Sequence, residues 1–191
     1  AFDHTNRVYH NALRISEGME DVDMDIVKAS TLLHDIARMK EDEKLCDNHA
    51  TEGAKMAREI LEKGNFPGDK IDVVCKAIEQ HRYSKGLVAE SIEGKILQDA
   101  DRLDAIGAIT IARIFDRGGV KQRPIHNPSI PPEEDYSKSK DTTAINHFYE
   151  KILKITPDRF NTPKAQELAK DKYTFTKEFV ERFEKEWNGE L

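Results

Sequence analysis

Apolar side chains recur at helical spacing through most of the chain. Over residues 3–19, His4, Val8, Ala12, Ile15 and Met19 follow one another at four, four, three and four residues, predicting a helix with one inward face that carries His4. His10 lies roughly 240° around that helix from His4 and reads as peripheral. Asp23 or Asp25 can cap a second helix running to about Met39. Its apolar positions, Ile26, Val27, Ala29, Leu32, Leu33, Ile36 and Ala37, wrap most of the circumference, as in a central helix surrounded by others. A polar stretch over 40–46 breaks the pattern. A third helix starts at Asp47 or Asn48, presents His49, Gly53, Met56 and Ile60 inward, and stops at Gly64. After Pro67-Gly68 a fourth helix runs to about Arg82, with Ile71, Val74, Ile78 and His81 on its inner face.

The longest apolar-periodic block covers 91–117 and ends at Gly118-Gly119. Asp101 falls four residues after Leu97 and four before Ala105, on a largely apolar face. A carboxylate there is costly unless it is paired or coordinates a cation. The loop 118–141 holds four of the seven prolines. Loops of that length within a compact domain are usually functional or mobile. Two closing helices follow, from about Thr143 to Ile155 and from Thr162-Pro163 onward. The last one carries Leu168, Phe175, Phe179, Phe183 and Trp187 on one face. No strand, repeat or low-complexity tract is evident. The pattern predicts an all-α, single-domain helical bundle with a core over 1–117, a loop over 118–141 and C-terminal helices over 142–188.

Composition narrows the function. The 191 residues are 38% hydrophobic and 35% charged, enough for one buried core under a charged helical surface. No apolar run is long enough to span a membrane. The net charge of −6 argues against broad nucleic-acid binding, yet permits a small phosphorylated ligand held by a metal and local cations. Cys46 and Cys75 have neither metal-ligand spacing nor a disulfide framework, which points to a reducing cytoplasm. The chain starts at Ala1, without a methionine or a signal-peptide pattern, leaving a removed upstream segment open.

The chemistry concentrates in side chains that interrupt apolar faces. His34-Asp35 sits inside Leu32-Leu33-His34-Asp35-Ile36-Ala37-Arg38, and His4, His49, His81 and Asp101 interrupt other helices. Imidazole and carboxylate together suit manganese, iron, cobalt, nickel, zinc or magnesium. His4, His34, Asp35 and Asp101 would fill four positions of an octahedral divalent ion. Two positions would remain for water and a phosphoryl oxygen, so that metal-activated water could attack phosphorus.

The order H…HD…D resembles the HD-domain superfamily of metal-dependent phosphohydrolases, an all-α fold. Asp3-His4-Thr5-Asn6-Arg7-Val8 looks like its first-histidine helix, Leu32-Leu33-His34-Asp35-Ile36 like its doublet, and Ala100-Asp101-Arg102-Leu103-Asp104 like its final aspartate. The strings Gln98–Ala108 and Ile145–Lys151 are similar to a bacterial subgroup, the YpgQ/YedJ-type HD proteins. The resemblance covers nearly the whole chain. It implies divalent-metal-dependent hydrolysis of nucleotides, with nucleoside triphosphate pyrophosphohydrolysis first among the activities. Some relatives bind a second metal through two further histidines, and His49 and His81 stand in that order here. The subgroup resemblance itself favours one metal.

Other roles remain open at this stage. His49 and His81 can bind a second ion, bind phosphate or hydrogen-bond within the site. Asp104 is a candidate water-orienting base, three residues from Asp101. Asp99, about 200° from Asp101, faces solvent or caps a neighbour. Arg38, where many HD proteins carry lysine or glutamate, is a candidate phosphate contact or an ordinary ion pair. Lys121, Arg123, Lys138 and Lys140 form a solvated loop or a lid over polyphosphate; His147, Tyr149 and Lys151 line the same mouth, or else His147 and Tyr149 pack between helices. Arg102 reads as structural support for Asp101. Rival functions are a nucleotide phosphomonoesterase, a cyclic-nucleotide or alarmone hydrolase, and a non-catalytic regulatory module that binds metal and nucleotide. A homodimer through the last helix is a further option.

Overall fold

Every regular element is helical among the residues that the computed structural model describes, which are 2–82, 86–134 and 143–191. The backbone forms two compact units. One comprises residues 1–102 with 161–165, the other 103–160 with 166–191.

In the first unit, α1 (Phe2–Ser16) buries Val8, Ala12 and Ile15 completely, the face predicted by the spacing. Asp23 caps α2 (Met24–Leu33), accepting hydrogen bonds from the Asp25 and Ile26 amides. A short α3 (Arg38–Asp42) follows. Asn48 caps α4 (His49–Lys63), and Gly64 closes it. Next come α5 (Gly68–Gln80) and α6 (Ile92–Asp104), of which the part up to Arg102 belongs to this unit. Ile26, Ala57, Leu61, Ile71, Val74 and Ile78 form a core shared by α2, α4 and α5. The inner face of α4 is rotated from the expected one. Ala50, Gly53, Ala57 and Leu61 are buried, whereas Ile60 is half exposed. Three small residues in a row on that face let α4 lie close to its neighbours, so the larger Ile60 is left outside.

The expected helix from 23 to 39 is broken at the doublet. α2 ends at Leu33, and residues 34–37 form tight turns before α3. The His34 ring takes the Thr31 carbonyl at 2.7 Å, the acceptor that a continuing α-helix would offer to the Asp35 amide. The backbone tightens instead, with the Ile36 amide on the Leu33 carbonyl and the Arg38 amide on the Asp35 carbonyl. Leu32, expected to face neighbours, is half exposed.

A buried tether completes the first unit. The Asp99 carboxylate has no exposure and accepts four hydrogen bonds, from the Asn161 amide and side chain and from the Thr162 amide and hydroxyl, at 2.8–3.0 Å. Of the two roles read from the sequence, capping a neighbour is the one observed.

In the second unit the expected block 91–117 is interrupted. α6 ends at Asp104, and α7 (Ala108–Val120) begins after Gly107, whose φ of 90° and ψ of −170° lie in a region open essentially to glycine alone. Thr143 caps α8 (Ala144–Glu150), and α9 (Pro163–Trp187) starts at the predicted Thr-Pro pair. Phe115, Phe148, Phe179 and Phe183 meet with ring centres 6.0–6.4 Å apart. Phe175, expected on the same stripe, is half exposed. Thr176 is buried in its stead, and its hydroxyl accepts the Gly107 amide at 2.8 Å.

His147 lies in this unit. Burial, and then the nearby charge of Lys151, push it down from its ordinary 6.5 to about 4. A depressed histidine stays neutral in the fold while the unfolded chain protonates below about 6.5. Its stabilising contribution is therefore complete above that pH and fades as the pH falls toward about 4, by up to roughly 3 kcal/mol. His147→Gln should flatten the acid side of the stability profile, measured by denaturant midpoints between about pH 7.5 and 4.5. A slope identical to wild type would contradict this.

Candidate metal centre

The ends of five helical segments bring six side chains together in the first unit. His4 comes from the start of α1, His34 and Asp35 from the turn after α2, His49 from the first position of α4, His81 from the C-cap of α5, and Asp101 from α6. Their ligating atoms form two trios, His4–His34–Asp101 and Asp35–His49–His81, with the atoms of each trio within 4.8 Å of one another.

In the first trio, His4 Nε2 is 3.3 Å from His34 Nε2 and 3.3 Å from Asp101 Oδ1. In the second, His49 Nε2 is 3.3 Å from His81 Nε2, and Asp35 Oδ1 is 3.3 Å from the former and 3.8 Å from the latter. The other Asp35 oxygen, Oδ2, turns to the first trio, 3.7 Å from His4 Nε2 and 3.9 Å from His34 Nε2. One carboxylate thus faces both trios.

The outer ring nitrogens determine what these inner atoms can do. His34 Nδ1 donates to the Thr31 carbonyl at 2.7 Å, and His81 Nδ1 donates to the Ile78 carbonyl at 2.6 Å. His49 Nδ1 donates to Glu41 Oε2. Carbonyls and carboxylates only accept, so in their neutral form these rings carry their proton on Nδ1 and point a lone pair inward from Nε2. The second trio is then three acceptors facing one another at short range.

Burial disfavours an isolated charge in that gap. His34, His49 and His81 are buried. Burial pushes His81 down to about 4. Burial alone would raise Asp35, yet whenever the surrounding rings are protonated a hydrogen bond from His49 and the charges of His34, His81 and His49 hold it well below the usual carboxylate range. Asp101 is likewise lowered, burial being overcome by His4, His34 and His81. The lone pairs of His34, His49 and His81, converging with the Asp35 and Asp101 carboxylates, fit a divalent cation.

The surrounding shell includes residues that the pattern did not single out. Arg82 Nη1 donates to Glu41 Oε1 at 2.7 Å and to Asn48 Oδ1 at 3.0 Å. Glu41 lies in the polar stretch 40–46, where spacing carried no signal, and Arg82 was read only as the end of a helix. Arg38 is half exposed, its guanidinium 3.6 Å from Glu41 and 3.5 Å from Asp42.

The remaining candidates belong to neither trio. The Asp104 carboxylate accepts a hydrogen bond from Arg113 at 3.1 Å within the second unit, and it belongs to neither trio. His147, Lys121 and Arg123 are also in the second unit, and Lys138 and Lys140 lie outside the described residues. His10 is exposed, with Nδ1 on the Asn6 carbonyl. Arg102 is buried with a guanidinium nitrogen 3.7 Å from Asp99.

The family model for the HD domain matches residues 1–106, which contain both trios. The chain belongs to the HD-domain family. It is similar to the Uncharacterized protein YpgQ of Bacillus subtilis (strain 168), 33% identical over 190 residues, covering 97% of this chain and 83% of that protein. Among solved structures, an HD-superfamily hydrolase from Bacillus thuringiensis is similar with a TM-score of 0.77 and 37% identity, over 98% of this chain and 86% of that one. The complex of B. subtilis YpgQ with ADP gives a TM-score of 0.73 and 31% identity, over 97% and 85% of the two chains. No helix among the described residues is long and apolar enough to cross a membrane.

Proposed function

We propose that this HD-family chain is a metal-dependent phosphohydrolase acting on nucleotides, and that it hydrolyses nucleoside triphosphates to the monophosphate and pyrophosphate. The observation that carries the proposal is the pair of inward-facing histidine-aspartate trios, both faced by the Asp35 carboxylate. They suit two divalent ions, the first held by His4, His34, Asp101 and Asp35, the second by Asp35, His49 and His81. Imidazole with carboxylate suits manganese, iron, cobalt, nickel or zinc over calcium. Ions held there would polarise a phosphoryl group and lower the pKa of water.

The protein's own residues do the rest. Asp35 neutralises positive charge on both sides and sets the spacing of the two trios. The backbone carbonyls of Thr31 and Ile78 keep the His34 and His81 lone pairs directed inward. Arg38, half exposed beside Glu41, is the proposed phosphate contact. Asp104 is engaged by Arg113 and is not used as the base. The ADP complex of YpgQ supports a nucleotide as the ligand class.

The test is product analysis. Metal-stripped protein is resupplied with Mn2+, Co2+, Ni2+, Fe2+, Zn2+ or Mg2+ and given nucleoside tri-, di- and monophosphates and cyclic nucleotides. Pyrophosphate with monophosphate is the expected product pair. Inorganic phosphate released from the nucleoside monophosphates would make the protein a phosphomonoesterase. Metal and nucleotide binding without turnover under every ion would leave a binding module.

A further inference from the structure

We propose that Glu41 is the positioning residue of the second trio, holding His49 in the form that can accept a cation. The proposal rests on the two-ion reading above and names the device that makes one half of it work.

His49 is the one imidazole of the buried set whose outer nitrogen is met by a side chain. His34 and His81 each use a carbonyl three residues earlier in their own segment, so their tautomers follow from local backbone. His49 stands at the first position of α4, where no preceding turn exists to supply such a carbonyl. Its Nδ1–H goes instead to Glu41 Oε2, eight residues upstream in α3. Without that acceptor the ring could carry its proton on Nε2, turning the inner atom into a donor aimed at His81 and Asp35.

Glu41 is itself held. Arg82 Nη1 donates to its other oxygen and also to Asn48, the cap of α4. Arg82 directly follows His81, so one guanidinium ties together the segment ends that present His49 and His81. Lys40 pairs with Glu52 at 2.8 Å, fastening α3 to α4. Every member of this chain has a defined partner, and its inner end is the Nε2 atom of His49. A carboxylate behind a metal-facing imidazole fixes the tautomer and raises ligand basicity.

The experiment measures Mn2+ binding to metal-stripped full-length protein by calorimetry, together with the tautomer of His49 by long-range proton–nitrogen NMR. Wild type should bind two ions and show His49 protonated on Nδ1. Glu41→Ala should weaken one ion by about 10- to 100-fold, leave the other within about twofold, and shift His49 toward the Nε2–H form. Glu41→Gln, which keeps an oxygen acceptor, should fall between the two and remain informative if the alanine variant does not fold. Two-ion binding in wild type with both affinities unchanged in the folded variants would overturn the role of Glu41 alone. An equal loss at both ions, or a weakened ion with an unaltered tautomer, would do the same. Wild type binding one ion or none would overturn the two-ion reading and this proposal together.

Discussion

Asp35→Ala should lower nucleotide turnover by on the order of 10³-fold and remove metal from both trios, with the fold retained. Asp35 is the side chain that addresses both trios, through Oδ2 on one side and Oδ1 on the other. On the proposed two-ion reading its loss would leave imidazoles and Asp101 around a doubly charged ion, with one negative charge fewer at the point shared by the two trios. Ion-assisted charge stabilisation in phosphoryl transfer amounts to several kcal/mol. At about 1.4 kcal/mol per tenfold in rate, a loss of about 4 kcal/mol corresponds to the expected drop. Asp35→Asn should come close to the same loss, since it keeps the shape and removes the charge. Arg38→Ala makes a useful contrast: it should raise KM and leave metal content unchanged. The measurement is turnover alongside metal analysis of purified protein. Wild-type turnover in Asp35→Ala with normal metal content would remove Asp35 from the mechanism.

Asp99→Ala should destabilise the protein by about 3–5 kcal/mol, the range for removing one side of a buried charged network. Four donors converge on this unexposed carboxylate, and two are backbone amides that cannot move without the chain. Truncation would strand them, each unsatisfied donor costing about 1–3 kcal/mol. Burial pushes the carboxyl above its ordinary value against the pull of the Asn161 and Thr162 donors, so the site carries a desolvation cost that these bonds offset. Asp99→Asn should also be destabilising, because its amide nitrogen would meet a donor on one side. For a chain of this length the melting temperature should fall by on the order of 10 °C. Thermal denaturation of metal-free protein isolates the effect from ion binding. A shift under about 2 °C would show that residues 161–162 are held without Asp99.

Asp99 and Asp101, two positions apart on α6, illustrate how much could be read from spacing. Helical period separates Asp99 from Asp101 on α6, and the structure sends one to the Asn161–Thr162 tether and the other toward His4. The same logic was sound for His81 at the inner end of α5 and for His10 on the outside of α1. It misled where a side chain competes with the backbone. The apolar run through His34-Asp35 looks like one helix because periodicity records which positions are apolar. It does not record that an imidazole will take the Thr31 carbonyl and end α2 at Leu33. The block over 91–117 likewise hides the break at Gly107, which depends on a single backbone conformation.

Local sequence determined the helices, most of their caps and the six polar side chains that interrupt apolar faces and are gathered in one place, because period, capping and residue chemistry act within a few positions. Tertiary structure alone decided how those six divide. Bringing α1, α4, α5 and α6 around the turn after α2 splits the two oxygens of Asp35 between separate trios. It also places Glu41 and Arg82 behind His49. Both outcomes depend on directions between segments up to about a hundred residues apart, and no periodicity along one chain encodes a direction between two helices.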